Sequence, residues 1–245
     1  MNIAIILSGG IGSRMGINIP KQYVIVDGQP IINYCLKTFI DDENIDAIVI
    51  GVANEWMNFI KENLAKIAPA KPIFYAQAGE TRQYSIYNAL KTTRNAGYKD
   101  DDYVIIHDAA RPLVSHKLIN RCLEAVKSAD AILPVIPVKD TMYMSKDGKH
   151  INSLLNRNFI WSGQAPEAFP LGKYLELHDK TPREELLKIN GSTELSFKAG
   201  HNCCMVDGDP INFKITTIED LSNFEAILNE RKKEKNESIR TSCGE

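Results

Sequence analysis

The chain has 245 residues, of which 44% are hydrophobic and 24% charged, and this composition favours one large domain with its own core. A formal net charge of -2 and a pI near 6.2 argue against a nucleic-acid partner, because such a partner requires a basic surface. The cysteines are scattered without metal-ligand spacing, and no apolar run approaches the length of a membrane span. We therefore expect reduced thiols, no membrane partner and a cytoplasmic location.

Strand and helix patterns alternate along the first half of the chain. Strands are predicted at 3–7, 47–52, 72–76, 103–107 and 131–134, and helices at 31–39, 55–68, 81–95 and 115–125. This succession predicts an α/β fold in which a mostly parallel, twisted sheet carries helices on both faces. Ligands of such sheets bind beyond the carboxyl ends of the strands, so the segments after several of these strands are expected to form one site.

The most informative segment, 7–16, reads LSGGIGSRMG and is followed by Pro20, Lys21 and Gln22. Its glycines let the backbone approach a ligand closely, with the backbone amides facing phosphate groups. Arg14 adds a forked donor and Lys21 a compact charge, so the segment predicts a cradle for a nucleotide triphosphate. The alternative, a glycine-rich turn that binds nothing, is disfavoured by these neighbouring cations.

The glycine spacing also bears on two common nucleotide-binding motifs. A dinucleotide fingerprint needs Gly-x-Gly-x-x-Gly, whereas Gly10 and Gly12 are followed by Gly16, one residue too late. A P-loop needs Gly-Lys-Ser or Gly-Lys-Thr, and neither tripeptide occurs in the chain. A dinucleotide-dependent oxidoreductase is therefore disfavoured, although it stays an alternative.

The segment HDAARP places Asp108 directly after the strand 103–107. A buried carboxylate is costly unless a cation meets it, and Mg²⁺ bridging Asp108 to the triphosphate is one solution. An ion pair between Asp108 and Arg111 is the other, and the pattern leaves both open. His107 is expected to be half-buried and structural.

Further candidates lie in the segments 79–85 and 209–216. The first reads GETRQYS and opens a helix, so its amides and the Ser85 hydroxyl could contact a base or a ribose, although a threonine N-cap gives the same pattern. Asp209 and Lys214 flank the entry to a predicted last strand at 212–216, and Lys214 within it suits either a phosphate site or protection of a sheet edge. A helix at 218–229 follows, and residues from 231 onward are expected to form a polar, disordered tail.

Two alternating runs around a KDGK turn predict a β-hairpin at 138–161 that projects from the domain. A projecting hairpin exposes apolar side chains, so an arm that grips a second subunit is one hypothesis. A hairpin folded back on its own domain is the alternative.

Together these segments resemble the cytidylyltransferase family that includes methylerythritol phosphate cytidylyltransferase and ribitol-5-phosphate cytidylyltransferase. The likeness runs from Ile3 to about Leu228. Its motifs, in chain order, are GGIGSRMG with PKQY, G-x-x-R-x-x-S at 79–85, HDAARP, VKDT at 138–141, Asn156-Arg157, GQAP, and NFKIT with the EDL that follows it.

The resemblance implies an enzyme that uses CTP and Mg²⁺ to convert an alditol phosphate to a CDP-alditol, releasing pyrophosphate. It implies a Rossmann-like nucleotidyltransferase domain at 1–230, which leaves the polar tail at 231–245 outside it, and a homodimer whose arm at 138–161 reaches the neighbouring site. The roles carried over by position are catalysis for Arg14, Lys21 and Lys214; nucleotide binding for Leu7, Ser8, Gly9, Gly10, Gly12, Ser13, Gly79, Glu80, Arg82, Ser85 and Ala109; acceptor binding for Thr141, Arg157 and Lys214; and metal binding for Asp108 and Asp209.

The acceptor is the least determined part of this prediction. Relatives usually carry Thr-Pro-Gln where this chain has Ala165-Pro166-Glu167, so a hydroxyl is missing and a charge is added. The segment 8–14 and Trp56 look more like the ribitol group, whereas Ala109-Ala110 looks more like the methylerythritol group. Ribitol 5-phosphate or a similar capsule or wall alditol is favoured, with 2-C-methyl-D-erythritol 4-phosphate as the alternative. A nucleotide-binding module without chemistry is a further alternative.

Overall fold

The computed structural model describes the backbone of residues 1–10 and 19–242, with side chains through residue 234. The strands are β1 (Asn2–Leu7), β2 (Ile25–Val26), β3 (Gln29–Pro30), β4 (Ala47–Val52), β5 (Ile73–Gln77), β6 (Tyr103–Asp108), β7 (Ala131–Pro137), β8 (Met142–Met144), β9 (Ser153–Leu155), β10 (Trp161–Gly163), β11 (Glu167–Pro170) and β12 (Cys203–Asp207). The helices are α1 (Ile31–Asp41), α2 (Met57–Ile67), α3 (Arg82–Asn95), α4 (His116–Ala125), α5 (Leu171–Lys180), α6 (Arg183–Leu186), α7 (Ser192–Lys198) and α8 (Ile218–Ser242).

One mixed, mostly parallel sheet organises the molecule, in the order β10-β7-β11-β6-β1-β4-β5, with β12 also paired to β7. The central strand β1 runs parallel to both β4 and β6. In this register Leu7 lies opposite Gly51 on one side and Asp108 on the other. The predicted α/β architecture is confirmed, and the carboxyl ends of the central strands meet at one edge of the sheet.

The hydrophobic core lies on both faces of this sheet. Alternate residues of a strand point to opposite faces, so Ile3 and Ile5 of β1 pack with α3 and α5, whereas Ala4 and Ile6 pack with α1, α2 and α4. Each of these four side chains is fully buried. The predicted helices on both faces are therefore present.

The last third of the chain differs from its prediction. The predicted strand at 212–216 is wrong: this segment is irregular, and the last strand is β12, which precedes it. Backbone groups of the segment are satisfied outside a ladder, since Arg111 Nη1 donates to the Asn212 carbonyl and the Ile215 amide donates to the Ala110 carbonyl. Strand β11, which the sequence patterns did not indicate, runs antiparallel between β6 and β7.

Helix α8 also differs from the prediction, because it continues to Ser242 rather than ending near residue 229. Thr217 caps its first turn by accepting from the Asp220 amide at 3.2 Å, and Lys232 forms an ion pair with Asp27 at 2.5 Å. The backbone of the predicted tail is thus helical as far as Ser242. The division into a domain at 1–230 and a tail at 231–245 stays a prediction.

Strands β8 and β9 form a separate antiparallel ladder, with Met142 opposite Leu155 and Met144 opposite Ser153. The segment 138–161 therefore contains the predicted hairpin, which we call the arm. Its exposed apolar side chains are Tyr143, Met144, Ile151, Leu154, Phe159 and Trp161. None of the helices in the described part of the chain is long and apolar enough to cross a bilayer.

Candidate active site

A cavity of about 520 Å³ opens at the carboxyl ends of β1 and β6, and we call it the central pocket. The predicted site residues that line it are Leu7, Gly9, Gly10, Lys21, Gly79, Glu80, Arg82, Ser85, Asp108 and Lys214. It is also lined by Gln22, Thr81, Ala110 and Thr216. Residues from the start, the middle and the end of the chain thus converge on one site, whereas Gly12, Ser13 and Arg14 lie outside the described residues.

The first residues after β1, at 8–10, which we call the glycine segment, are held by two side chains from the 3-10 helix Lys21–Tyr23. Gln22 Nε2 donates to the carbonyls of Ser8 at 2.6 Å and Gly10 at 2.8 Å, and the Tyr23 hydroxyl donates to the Ser8 carbonyl at 3.0 Å. The Ser8 hydroxyl donates to the Gly51 carbonyl instead of lining the pocket. Gln22 and Tyr23 belong to the PKQY motif, but the sequence assigned neither of them a role.

The segment 79–85 forms a second wall of the pocket, and here the threonine N-cap is present. Thr81 Oγ1 accepts from the Tyr84 amide at 3.3 Å. The Ser85 hydroxyl accepts from the Gly79 amide at 3.0 Å and donates to the Thr81 carbonyl at 3.0 Å, so its hydrogen is already engaged. A Cβ on Gly79 would overlap Tyr84, so glycine is required at this close approach. The Glu80 carboxylate forms an ion pair with Arg183 of α6.

Asp108 lies at the base of the pocket, with 8% of its surface exposed and three cations around it. Its Oδ1 lies 3.1 Å from Arg82 Nε, and its Oδ2 lies 2.9 Å from Lys214 Nζ and 3.6 Å from Arg111 Nε. Burial opposes ionisation of Asp108, but the three cations outweigh it and hold the pKa of the carboxyl well below its usual range. The predicted alternative, an ion pair with Arg111, is therefore present, although Arg82 and Lys214 lie closer.

His107, the residue before Asp108, is fully buried rather than half-buried. Burial lowers the pKa of its imidazole to about 4, so the ring is neutral at pH 7. Its Nε2 lies 2.9 Å from the Arg111 carbonyl, which assigns the ring proton to Nε2 and leaves Nδ1 without a partner among the described residues.

Arg82 connects Asp108 to a second buried carboxylate, Glu167 of β11. Its Nη1 donates to the Ser192 hydroxyl at 2.6 Å and its Nη2 to Glu167 Oε1 at 3.4 Å. Burial opposes the charge on Arg82, but Asp108 and Glu167 outweigh it and raise the pKa of the guanidinium. Glu167 was visible in the sequence only as an added charge, and no local pattern indicated Ser192.

Several predicted residues do not reach the central pocket. Thr141 and Arg157 line a separate cavity of about 450 Å³ on the arm. Ala109 is 1% exposed and donates its amide to the Leu7 carbonyl, and its neighbour Ala110 lines the pocket instead. The Asp209 carboxylate accepts from the Ile211 amide at 3.1 Å and does not line the pocket.

Comparison with known proteins identifies the family. The family model described as IspD, 2-C-methyl-D-erythritol 4-phosphate cytidylyltransferase, matches residues 2–230. The chain belongs to this family. The resemblance seen in the sequence motifs is therefore confirmed, and with it the class of the enzyme, a cytidylyltransferase.

Relatives in the IspD family carry two different substrate names. The chain is 34% identical over 240 residues to the 2-C-methyl-D-erythritol 4-phosphate cytidylyltransferase of Clostridioides difficile, covering 98% of this chain and 99% of that protein. It is 32% identical over 229 residues to the ribitol-5-phosphate cytidylyltransferase of Vibrio parahaemolyticus, covering 93% and 96%. Sequence identity to these two relatives does not separate the two acceptors.

Solved structures of IspD-family proteins share this fold. The 2-C-methyl-D-erythritol 4-phosphate cytidylyltransferase of Francisella tularensis superposes with a TM-score of 0.74 at 30% identity, covering 91% of this chain and 99% of that one. The 4-diphosphocytidyl-2C-methyl-D-erythritol synthase of Anaerococcus prevotii superposes with a TM-score of 0.78 at 24% identity, covering 94% and 96%, and shows the fold alone.

The donor set of the central pocket sets limits on a metal site. Among the side chains that the structure describes, at 1–10 and 19–234, no three from His, Cys, Asp or Glu lie close enough to hold a metal by themselves. Magnesium commonly takes one or two carboxylates and completes its shell with substrate phosphates and water. Asp108 could supply one carboxylate ligand of such a shell.

Proposed function

We propose that this IspD-family enzyme transfers the cytidylyl group of CTP to the phosphate of an alditol phosphate and releases pyrophosphate. The observation that carries the proposal is the convergence of Lys21, Asp108 and Lys214 on the central pocket, beside the glycine segment. Lys21 and Lys214 supply positive charge for a reaction between two polyanions, and Asp108 supplies a carboxylate beside them.

In the proposed reaction an oxygen of the acceptor phosphate attacks the α-phosphorus of CTP, opposite the bond to the β-phosphate. A new P–O bond forms as that bond breaks, and its electron pair leaves on pyrophosphate, so no covalent enzyme intermediate is needed. Catalysis then consists mainly of positioning and charge stabilisation. Lys21 and Arg14 stabilise the charge on the triphosphate, and Lys214 holds the acceptor phosphate.

The pocket walls supply the nucleotide contacts of this proposal. Leu7, Gly9, Gly10, Gly79 and Glu80 line the pocket and are proposed to contact the nucleotide. Ser8 and Ala109 are buried behind this wall and support it. Gly12, Ser13, Arg82 and Ser85 complete the set proposed to bind CTP.

We propose that Asp108 holds Mg²⁺ together with the CTP phosphates, with Asp209 as a second candidate ligand. When bound, the ion would neutralise charge on the triphosphate. Asp108 suits this task because it stays ionised at neutral pH among its cationic neighbours.

The arm is proposed to form the contact of a homodimer and to deliver Thr141 and Arg157 to the partner's central pocket. Two observations support this. Thr141 and Arg157 share a cavity that Lys214 does not line, so one chain alone separates the proposed acceptor ligands. The arm also exposes large apolar side chains, including Phe159 at 78% and Leu154 at 65%, and an interface would cover them.

The acceptor is proposed to be ribitol 5-phosphate or 2-C-methyl-D-erythritol 4-phosphate. The segment 8–14 and Trp56 favour the first, and the family description and the 34% identical relative favour the second. A cytoplasmic location is also proposed, in keeping with the free thiols of Cys35 and Cys122.

Pyrophosphate release tests the proposed function. The purified enzyme, CTP and Mg²⁺ are incubated with ribitol 5-phosphate, 2-C-methyl-D-erythritol 4-phosphate or glycerol phosphate, with ATP and UTP as matched nucleotides. We expect release with CTP and one of the first two acceptors. Binding of Mg·CTP without pyrophosphate from any acceptor would support a nucleotide-binding module, and tight binding of NADH in a fluorescence titration would support an oxidoreductase.

A further inference from the structure

The Arg82 guanidinium is divided among three acceptors on three different elements. Its Nε faces Asp108 Oδ1 at 3.1 Å, its Nη1 faces the Ser192 hydroxyl at 2.6 Å, and its Nη2 faces Glu167 Oε1 at 3.4 Å. An arginine that meets one carboxylate commonly engages it through two nitrogens. Arg82 contacts Asp108 through one nitrogen only, because Ser192 and Glu167 hold the other two.

Glu167 is itself firmly anchored. Only 6% of its surface is exposed, and both carboxylate oxygens accept hydrogen bonds. Oε1 accepts from the Ser192 hydroxyl at 2.6 Å, and Oε2 accepts from the Thr193 amide at 2.8 Å and the Thr193 hydroxyl at 2.7 Å. Glu167 therefore holds Arg82 from a fixed position behind the pocket wall.

The negative charge of Glu167 affects how strongly Arg82 pairs with Asp108. Arg82, Arg111 and Lys214 surround Asp108, and Glu167 is the second carboxylate that pairs with Arg82. Without the Glu167 charge, Asp108 would be the one carboxylate paired with these three cations among the residues that the structure describes. Arg82 could then contact the Asp108 carboxylate through two guanidinium nitrogens and compete with any other cation that approaches Asp108.

We propose that Glu167 is a positioning residue that, with Ser192, draws Arg82 away from a two-nitrogen ion pair with Asp108 and so leaves Asp108 able to take a divalent cation with CTP. The inference rests on the proposed function in one respect, the role of Asp108 toward Mg²⁺. It assigns to Glu167 and Ser192 an effect on cation binding, although neither lines the central pocket.

The test measures the affinity for CTP by isothermal titration calorimetry, with and without saturating Mg²⁺ and with no acceptor. The dissociation constant of CTP without Mg²⁺, divided by that with Mg²⁺, gives a ratio that reports how much the cation strengthens nucleotide binding, independently of turnover. In Glu167→Gln the pocket gains positive charge, so metal-free CTP should bind more tightly and the gain from Mg²⁺ should shrink. We expect this ratio to fall at least about tenfold relative to the wild type.

Thr193→Val is the matched control. It removes a hydrogen bond to the same Glu167 carboxylate but keeps the charge and the Arg82 contact, so the ratio should stay at the wild-type value. Ser192→Ala frees Arg82 Nη1 while keeping the Glu167 charge, so it should lower the ratio by a smaller factor, and it carries the test if Glu167→Gln does not fold. Asp108→Asn gives the ratio for a protein that lacks the carboxylate proposed to bind Mg²⁺.

The outcomes separate this inference from the proposed function. If Asp108→Asn abolishes the gain from Mg²⁺ but Glu167→Gln and Ser192→Ala do not reduce it, the inference is overturned and the role of Asp108 stands. An equal fall of the ratio in Glu167→Gln and Thr193→Val would mean that anchoring of α7, and not the Glu167 charge, sets the ratio, which also overturns the inference. A reduced ratio in Glu167→Gln alone, together with no pyrophosphate from any acceptor, would support the inference and contradict the proposed reaction. A wild-type ratio of one would overturn both the inference and the metal role.

Discussion

Lys214 Nζ lies 2.9 Å from Asp108 Oδ2, although 106 positions separate the two residues in the chain. The contact joins the end of β6 to the irregular segment after β12. Gln164 secures that segment, since its Nε2 donates to the Asp209 carbonyl at 2.9 Å and its Oε1 accepts from the Asp209 amide at 3.0 Å. The position of Lys214 therefore depends on side chains that bridge distant parts of the chain.

Replacing Lys214 should impair use of the acceptor. In Lys214→Ala we expect kcat/KM for the acceptor to fall about a hundredfold, because a positioned charge that stabilises a reacting phosphate typically contributes on the order of 3 kcal/mol. Steady-state kinetics of pyrophosphate release measures the change. Lys232→Ala is the control, because Lys232 pairs with Asp27 on the surface and should be neutral. Equal kinetics in the two variants would remove Lys214 from the site.

Replacing Lys21 should slow the chemical step. Lys21 lines the central pocket, and in Lys21→Ala we expect kcat to fall about a hundredfold through lost stabilisation of the leaving pyrophosphate. Single-turnover kinetics with saturating CTP isolates this step. Lys37→Ala serves as the control, since Lys37 contacts Gln29 at an exposed position. Near-normal turnover in Lys21→Ala would refute the assignment.

Gln22 should matter for stability and for nucleotide binding together. In Gln22→Ala the carbonyls of Ser8 and Gly10 lose their donor, which should lower the free energy of unfolding by about 1–3 kcal/mol. Binding of CTP should weaken as well, because the glycine segment loses its support. Urea denaturation and calorimetry measure the two effects, with exposed Gln77→Ala as the control. Unchanged stability would mean that other groups hold the segment.

Stability should fall in mild acid because two histidines are buried as neutral rings. Burial lowers the pKa of both His107 and His178 to about 4, below the usual 6.5 that they regain on unfolding. The unfolded chain therefore binds more protons between pH 6.5 and 4, so stability is full above pH 6.5 and decreases as the pH falls through this window. At pH 5 each ring should cost roughly 2 kcal/mol.

Urea denaturation at pH 5 and pH 7.5 measures this dependence, and His178→Gln identifies one of its sources. His178 Nδ1 lies 2.7 Å from the Tyr174 carbonyl and its Nε2 2.7 Å from Gln83 Nε2, an arrangement that a neutral ring with its proton on Nδ1 satisfies. Since glutamine does not titrate, the variant should lose about half of the decrease. The same decrease in the variant and the wild type would exclude His178 as a source.

Mixing two inactive variants tests delivery of Arg157 across the dimer. Arg157→Ala and Lys21→Ala should each have low activity, but a mixed dimer should contain one complete site, with Lys21 from one chain and Arg157 from the other. Co-expression should therefore restore pyrophosphate release. The control pair is Lys21→Ala with Lys214→Ala, whose residues line the same pocket and should not complement.

The size of the particle provides an independent check of the arm. Phe159→Asp places a charge on an exposed apolar side chain of the arm, so we expect a monomer by light scattering at micromolar concentration. A wild-type protein that is itself monomeric would remove both the dimer and the complementation that depends on it.

The sequence by itself determined the features that depend on residues close together in the chain. Strand periodicity predicted β1, β4, β5 and β6, which the structure contains, and the glycine spacing with Lys21 favoured a phosphate-binding turn, which stays a prediction. Once strands are parallel, their carboxyl ends share an edge, so Asp108 could be placed beside the segment after Leu7 without knowledge of the tertiary structure.

Only the tertiary structure decided which distant groups meet. Strand β11 enters the sheet antiparallel and brings Glu167 to Arg82, which lies 85 positions earlier in the chain. No local periodicity encodes such a pairing, because it depends on how the sheet and its covering helices pack. The segment at 212–216 has the composition of a strand, yet it is irregular, and Arg111 and Gln164 both donate to its Asn212 carbonyl, which a ladder would otherwise pair. The charge balance around Asp108 follows from these long-range contacts.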